Sequence, residues 1–578
     1  NNSLATILVP EAFIGGGSPN GLSFNNEDRW EFQNYTSWAL RRHNIKAGAQ
    51  MRGVHLADFS TADFNGTFTF GGGQAAALDA SNNVVRGPGG QPVTVPITSI
   101  ERYRRTQLIP LFLQRGLSQS EIRTLGAGAT QFSIAAGEPE ARVNQYDLGI
   151  FAQDDWQLRP NLSLGLGLRY ELQNNISDHR DFAPRLAIAW APGGDANKRK
   201  TVLRAGMGLF YDRFSEGYTL AARRFNGISQ QRFIVSDPAI LDLFPQVPSL
   251  DLLSQFAVPE TVTRVADNLR SPYTIQSSVS LERELPNGLS LATTFINTRT
   301  LKLLRSRNIN APLPGNTLRP FGNVGDIFEY ESSGYFKQNQ LSVNVIERLK
   351  SVATLWATYV LSDAHSDTDS ADTFPANTYD LSTEYGRSAL DVRHSFYLGG
   401  WITGPLNLSF SPLVFYRSGA PFNITTGRDT NGDRLYAERP ALASDLTRPS
   451  VVLTRFGAFD LDPVAGQTII PRNYGRGPGY FSVNLGVSRA FSFGPESKVR
   501  AAAKRGNQNS FGRFFSRKYT MTFTIQVENL FNHSNPASPI GNLSSPLFGQ
   551  SNSSAGAYGF GSNPAGNRRI EIQIYFSF

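Results

Sequence analysis

The chain has 578 residues, of which 40% are hydrophobic and 18% charged, with 55 Lys and Arg against 47 Asp and Glu for a net charge of +8. Forty Phe, 20 Tyr and 6 Trp are far more aromatic side chain than a disordered polypeptide carries. With no Cys, disulfide frameworks, thiolate zinc sites and thiol nucleophiles are excluded.

In chain order, residues 1–28 read as an N-terminal segment, the end of an earlier strand or a loop, with one possible strand near Ala5–Phe13. The chain opens on Asn1 without a charged and then apolar leader, so a processed product or a piece of something longer is expected. From Arg29 the apolar residues recur with period two, which predicts half-buried strands rather than amphipathic helices. Trp30 and Trp38 share one parity. In HNIKAGAQMR, Ile45, Ala47, Ala49 and Met51 oppose Lys46, Gly48, Gln50 and Arg52. In NLSLGLGLRYE, Leu162 to Tyr170 at every second position oppose Ser163, Gly165, Gly167, Arg169 and Glu171. The same alternation puts Glu282 and Glu284 on a polar face and closes the chain, with Ile570, Ile572, Ile574, Phe576 and Phe578 on the apolar one.

The connections come in two kinds. Short ones include Arg41–Asn44, Arg159–Asn161, Pro286–Gly288, Lys350–Ser351 and Gly404–Leu406. Long ones, rich in Gly, Asn, Ser and Pro, include Gly71–Val143, Asp212–Ser271, Thr300–Phe336, Ser362–Leu390 and Ser418–Gly479. They alternate, which is the signature of a transmembrane β-barrel with short periplasmic turns, long extracellular loops and an apolar outer face. No run approaches the ~18 apolar residues of a membrane helix, and in lipid only helices or closed barrels satisfy every backbone polar group. The fold class is therefore all-β: a large antiparallel transmembrane barrel over residues 29–578, about 16 strands of it visible, embedded in outer-membrane lipid and lipopolysaccharide. Trp30 and Trp38, eight residues and roughly 20 Å apart along the membrane normal, together with Trp156 and Tyr170, are the expected aromatic girdles. Lys46, Gln50, Arg52, Arg169, Glu171, Glu282 and Glu284 are expected to face the lumen.

Several stretches resemble the barrel of TonB-dependent outer-membrane receptors, in particular the Oar-like group with an N-terminal carboxypeptidase-regulatory-like domain. They are FAQDDWQLRPNLSLGLGLRYE (Phe151–Glu171), FAPRLAIAW (Phe182–Trp190), LRAGMGLFYDRF (Leu203–Phe214), LDVRHSFYLGGW (Leu390–Trp401), YRSGAPFNITTGRDTNGD (Tyr416–Asp433) and VENLFNHSNP (Val527–Pro536). The resemblance implies about 22 strands around a plug, and import of a scarce or large solute (a chelate, glycan or peptide) energised by the TonB complex through that plug. Nothing upstream of Arg29 reads as a plug or TonB box, so the plug and first strands are expected before Asn1. The terminal Phe578 resembles the C-terminal signal by which the barrel assembly machinery recognises its clients. The alternative function is a structural or adhesive anchor without active transport.

The chemistry-bearing motifs are few. Asp429, Asn431 and Asp433 in DTNGD have the i, i+2, i+4 spacing that begins a calcium loop, although the later Gly and Glu of that loop are not in register and the next acid is Glu438. The alternative is an Asx-rich turn. The acidic run Ser362–Asp372 is expected to be a solvated loop or to hold a hard cation. The six His are scattered, with His365 and His394 the two that could meet a ligand. The basic segment Lys498–Lys518 interrupts a short turn and is expected to meet lipid phosphate or to be a mobile basic turn, rather than to bind nucleic acid. No Walker A, dinucleotide fingerprint, HExxH or GxSxG elbow is present, so no enzyme activity is expected.

Overall fold

A computed structural model describes residues 4–10, 12–193, 200–255, 260–322, 324–349, 352–496, 517–556 and 566–578. Fifteen long strands form one antiparallel meander in which each pairs with its neighbours along the chain. In order they are β1 Ser23–Leu40, β2 His43–Ser60, β3 Glu140–Arg159, β4 Leu162–Gln173, β5 Asp181–Trp190, β6 Thr201–Tyr211, β7 Tyr273–Glu284 and β8 Leu289–Asn308. They continue with β9 Ile327–Leu349, β10 Ala353–Ser366, β11 His394–Thr403, β12 Leu408–Arg417, β13 Tyr480–Glu496, β14 Arg517–Glu528 and β15 Arg569–Ser577. Among the described residues β1 pairs with β2 alone, which leaves its other edge open.

The register carries the period-two pattern across the wall. Leu164 stands opposite Trp156 of β3 and Ile188 of β5, and Gly165 stands opposite Asp155 and Ala187. The apolar parity is solvent-exposed: Leu166 (46%), Leu168, Leu186, Ile188, Met207, Val279 and Phe295 have no protein over them. Apolar residues on a strand face that meets no second layer need lipid in place of a core. Aromatic rings mark where that band ends. At the short-turn end Trp38, Trp156 and Trp190 share the outer parity, with Trp156 stacked on His43 at 5.2 Å. Towards the long loops the outward pairs are Trp30–Tyr146, Tyr170–Phe182 and Tyr211–Tyr273. Trp190 is absent from the girdle expected from sequence, and its place on the parity of Leu186 and Ile188 is the signal that finds it.

Most of the buried core lies in the long connections and at the loop-side ends of the wall strands they cover. The possible strand near Ala5–Phe13 is a hairpin, Thr6–Val9 with Phe13–Gly16, and it does not join the wall as a sixteenth member. Thr6–Val9 runs parallel to Thr67–Thr69, which pairs with Gln131–Gly137, and that strand pairs with Gln230–Val235. Glu260–Val265 carries this small sheet on to Ile327 at the start of β9. Val9, Phe68, Phe70, Phe132, Ile240 and Leu253 fill it, each at most 1% exposed. A second apolar cluster, Phe422, Ile424, Phe459, Leu461, Ile470 and Leu543, joins the connections 418–479 and 529–568. The wall itself starts at Ser23, six residues before the boundary expected at Arg29. Several wall strands outrun the membrane: β9 alone has 23 residues, roughly twice the 9–11 needed to cross.

Candidate functional site: the lumen wall and an acidic loop

Lys46, Gln50 and Arg52 stand on one face of β2, opposite Gln153, Gly149 and Asp147 of β3. Arg169 and Glu171 extend this face on β4. Arg169 pairs with Glu171 and donates to Gln50 Oε1 at 3.3 Å. The hub of the patch is Asp147, which sequence reading passed over. It is 4% exposed, accepts from Gln145 Nε2 (3.1 Å) and Gln173 Nε2 (3.0 Å), and lies 3.8 Å from Arg52 and 3.7 Å from Arg213. Its parity in VNQYDLG, shared with Gln145, was the available signal. Glu282 and Glu284 stand on β7, three strands away, and do not join this patch; Glu282 pairs with Arg204 at 2.7 Å.

One long connection folds back over this face. The helix Glu216–Arg224, capped by Ser215, lays Leu220 on Val54, Leu56 and Val143, whose parity is that of Arg52 and Asp147. Glu216 accepts from Arg52 at 3.0 Å. At the other end Arg224, 5% exposed, pairs with Asp58 and donates to the carbonyls of Pro139 (3.0 Å) and Ser60 (3.3 Å). With the Asp58 carbonyl (3.0 Å) as a fourth acceptor, this buried guanidinium is a strong clasp. Arg224→Ala should therefore loosen the helix by about 1.5–3 kcal/mol, the value of a hydrogen-bonded charge. Faster limited proteolysis within residues 212–272, with the wall intact, would register that loss.

The candidate cation residues lie in the connection 418–479. Asp429 Oδ1 accepts from Gly432 N–H (2.8 Å) and Oδ2 from Arg434 N–H (3.0 Å). Asp433 Oδ1 accepts from Leu435 N–H at 2.8 Å. Gly432 (φ +75°) and Arg434 (φ +64°) both take the left-handed backbone, so the sixth loop position has the conformation a calcium loop usually gives to Gly, but on an Arg. Asn431 spends its Oδ1 on Asp433 N–H and its Nδ2 on Ala376 O and Asp433 Oδ2. The residue that joins Asp429 and Asp433 is Glu438: one oxygen from each of the three lies within 4.8 Å of the others. Burial raises the Asp429 carboxyl, lifts Asp433 to about 6 and lifts Glu438 to about 8. The neighbouring carboxylates add to each shift.

The remaining motifs resolve differently. Of the acidic run Ser362–Asp372, residues 362–366 end β10 and the rest is a loop exposed at Asp369, Ser370 and Asp372; arginines pair with three of its four acids. Asp363 pairs with Arg393, Asp367 with Arg305 (2.7 Å) and Asp369 with Arg472 (3.0 Å). His365 and His394 are not brought together: His365 stacks on Tyr385 at 5.8 Å, while His394 bonds the Tyr359 hydroxyl at 2.8 Å. Residues 498–516 of the basic segment and the Lys350–Ser351 turn lie outside the described residues; Arg517 and Lys518 open β14.

The sequence matches the family described as outer membrane beta barrel domain over residues 1–181 and 175–504. No curated protein sequence matches it. Among solved structures, the outer membrane transporter YddB from Escherichia coli aligns at a TM-score of 0.50 and 10% identity, covering 100% of this chain and 58% of that one. The siderophore receptor PirA from Acinetobacter baumannii aligns at 0.48 and 9% identity, with coverage of 100% and 58%. The ferric enterobactin receptor PfeA from Pseudomonas aeruginosa, as its G324V mutant, gives 0.42 and 11%, with 96% and 61%. The chain thus spans about three-fifths of the length of the solved structures it matches.

Proposed function

The chain belongs to the outer membrane beta barrel domain family, an integral outer-membrane barrel, and on that footing we propose that it is the wall and extracellular vault of a TonB-energised importer. The observation that carries this reading is the inward fold of the loops. Any such barrel has a polar lumen face, but an anchor has no need of a loop helix tied onto it, and Arg52, Asp147 and Glu216 hold one there, under a vault with its own apolar core. The shared fold with an outer membrane transporter supports the same class. The solute is bound by the loops above the lumen and released inward when the energised complex displaces a plug.

The open edge of β1 supports further strands in the working protein, and the import reading adds a plug. An unpaired strand edge in hydrocarbon leaves backbone groups unsatisfied at several kcal/mol each. The intact mass of the protein extracted from outer membranes should therefore exceed that of these 578 residues by some tens of kilodaltons, or a separate plug chain should co-purify. Import itself is tested by comparing solutes consumed from a defined extract by cells with and without the gene, and with the proton-motive force collapsed. One class of solute should persist in the medium in both deficient states. Identical consumption by all cells would replace import with the anchor reading.

A further inference from the structure

We propose that Asp429, Asp433 and Glu438 form a binding site for a hard divalent cation of the calcium class. Oxygens that share a calcium ion at about 2.3–2.6 Å stand at most about 5 Å apart, and the three carboxylates meet that spacing within 4.8 Å. Among the described residues none of the three has an ion-pair partner. The arginines around them are already engaged: Arg319 and Arg434 with Asp326 (2.8 and 3.1 Å), and Arg428 with Asp462 (3.0 Å).

The second observation is on Glu438. Its side chain is more than nine-tenths buried, and Oε1 accepts from Thr430 N–H at 2.7 Å, but Oε2 is shielded from solvent with no hydrogen-bond partner. Ionising a buried carboxyl whose second oxygen has no donor, beside two further carboxyl groups, is costly. A divalent cation would supply both the missing partner and the missing charge. The donor set is oxygen alone, which suits calcium or magnesium and not a soft metal. The carboxylates are held by backbone N–H groups at fixed spacing, which suits the larger ion with the looser geometry.

The site would act on the vault as a whole, because this short segment touches several loops. Asn431 donates to Ala376 O, Asp433 O accepts from Asn308 Nδ2 (3.2 Å), and Arg434 donates to Ile234 O (3.1 Å). Beyond it, Glu438 O accepts from Thr426 N–H, whose carbonyl accepts from Ser544. An ion that fixes residues 429–438 fixes the junction of these loops.

The inference stands apart from the import reading, since binding is measured without transport. The full protein, folded in detergent and stripped with chelator, would be titrated with Ca2+ and Mg2+ by calorimetry. Terbium luminescence sensitised through Tyr436 would report the site itself. One saturable Ca2+ is expected, at least tenfold tighter than Mg2+, and Glu438→Gln should weaken it at least tenfold. Asp433→Asn should do the same and carries the test if Glu438→Gln fails to fold. Asp445→Asn, which alters only an exposed contact with Thr447 (2.7 Å), should leave affinity unchanged. No saturable Ca2+ binding at millimolar concentration, equal or tighter Mg2+ binding, or an unaltered affinity in the Glu438 and Asp433 variants would overturn the site.

Discussion

Replacing Glu384 by Ala should cost about 3–5 kcal/mol of local stability in the vault, the penalty for leaving a buried charge without its partner. Glu384 is 1% exposed and holds Arg439, itself 4% exposed, through both oxygens at 2.7 and 3.1 Å. Arg472 stands 3.6 Å from the same carboxylate. Taking the carboxylate away leaves two buried guanidinium groups, of which Arg472 retains Asp369 and Arg439 retains only carbonyl and hydroxyl acceptors. The connections 367–393 and 418–479 are joined here, so they should separate while the wall stays folded. Hydrogen exchange resolved by peptide would show it, with protection lost around Ser382–Glu384 and Arg439 and kept in β3 and β4. Unchanged protection in the vault would mean that the pair is worth no more than a surface ion pair.

Leu168→Arg should destabilise the inserted wall by about 2–4 kcal/mol, the cost of a guanidinium on the lipid face near the midplane of an outer-membrane barrel. The register places Leu168 opposite Ala152 and Pro184, between the short-turn ring containing Trp156 and the loop-side pair Tyr170–Phe182. Leu164, opposite Trp156, sits at the girdle and should cost less. Gly165→Arg is the matched control on the other face. A Cβ there meets Asp155 Oδ1 at 3.4 Å and Ala187 Cβ at 3.5 Å, ordinary contacts, and the new charge finds an acid beside it. Urea midpoints of the protein refolded into lipid vesicles should separate the two variants clearly. Equal loss in both would reverse the assignment of the strand faces.

Much of the wall was legible in residue order. A strand between lipid and water is sorted at every second position, so Lys46, Gln50, Arg52, Arg169 and Glu171 could be placed on a common face before any pairing was known. The alternation of short and long connections gave the direction of the strands for the same reason. The candidate site was legible only in its first half. DTNGD announces itself by spacing, but Glu438 returns to it through a backbone that turns left-handed at Arg434, a conformation that no rule of composition assigns to Arg. The arginines that pair with the acidic run were equally hidden: Arg472 lies 103 residues from Asp369. The stretch Ala5–Phe13 had the length of a wall strand, but it turns into a hairpin of Thr6–Val9 with Phe13–Gly16, and Thr6–Val9 joins the loop sheet through Thr67–Thr69.

The sequence alone therefore determined the class of protein, the faces of its strands and the end of the wall at which its long loops gather. Each of these follows from a solvent that acts on one residue at a time. Only the tertiary structure decided which loops pack together, which acid meets which arginine, that a helix turns into the lumen and that three carboxylates converge. Those contacts bring together residues far apart in the chain, so their energies depend on the closure of several loops at once.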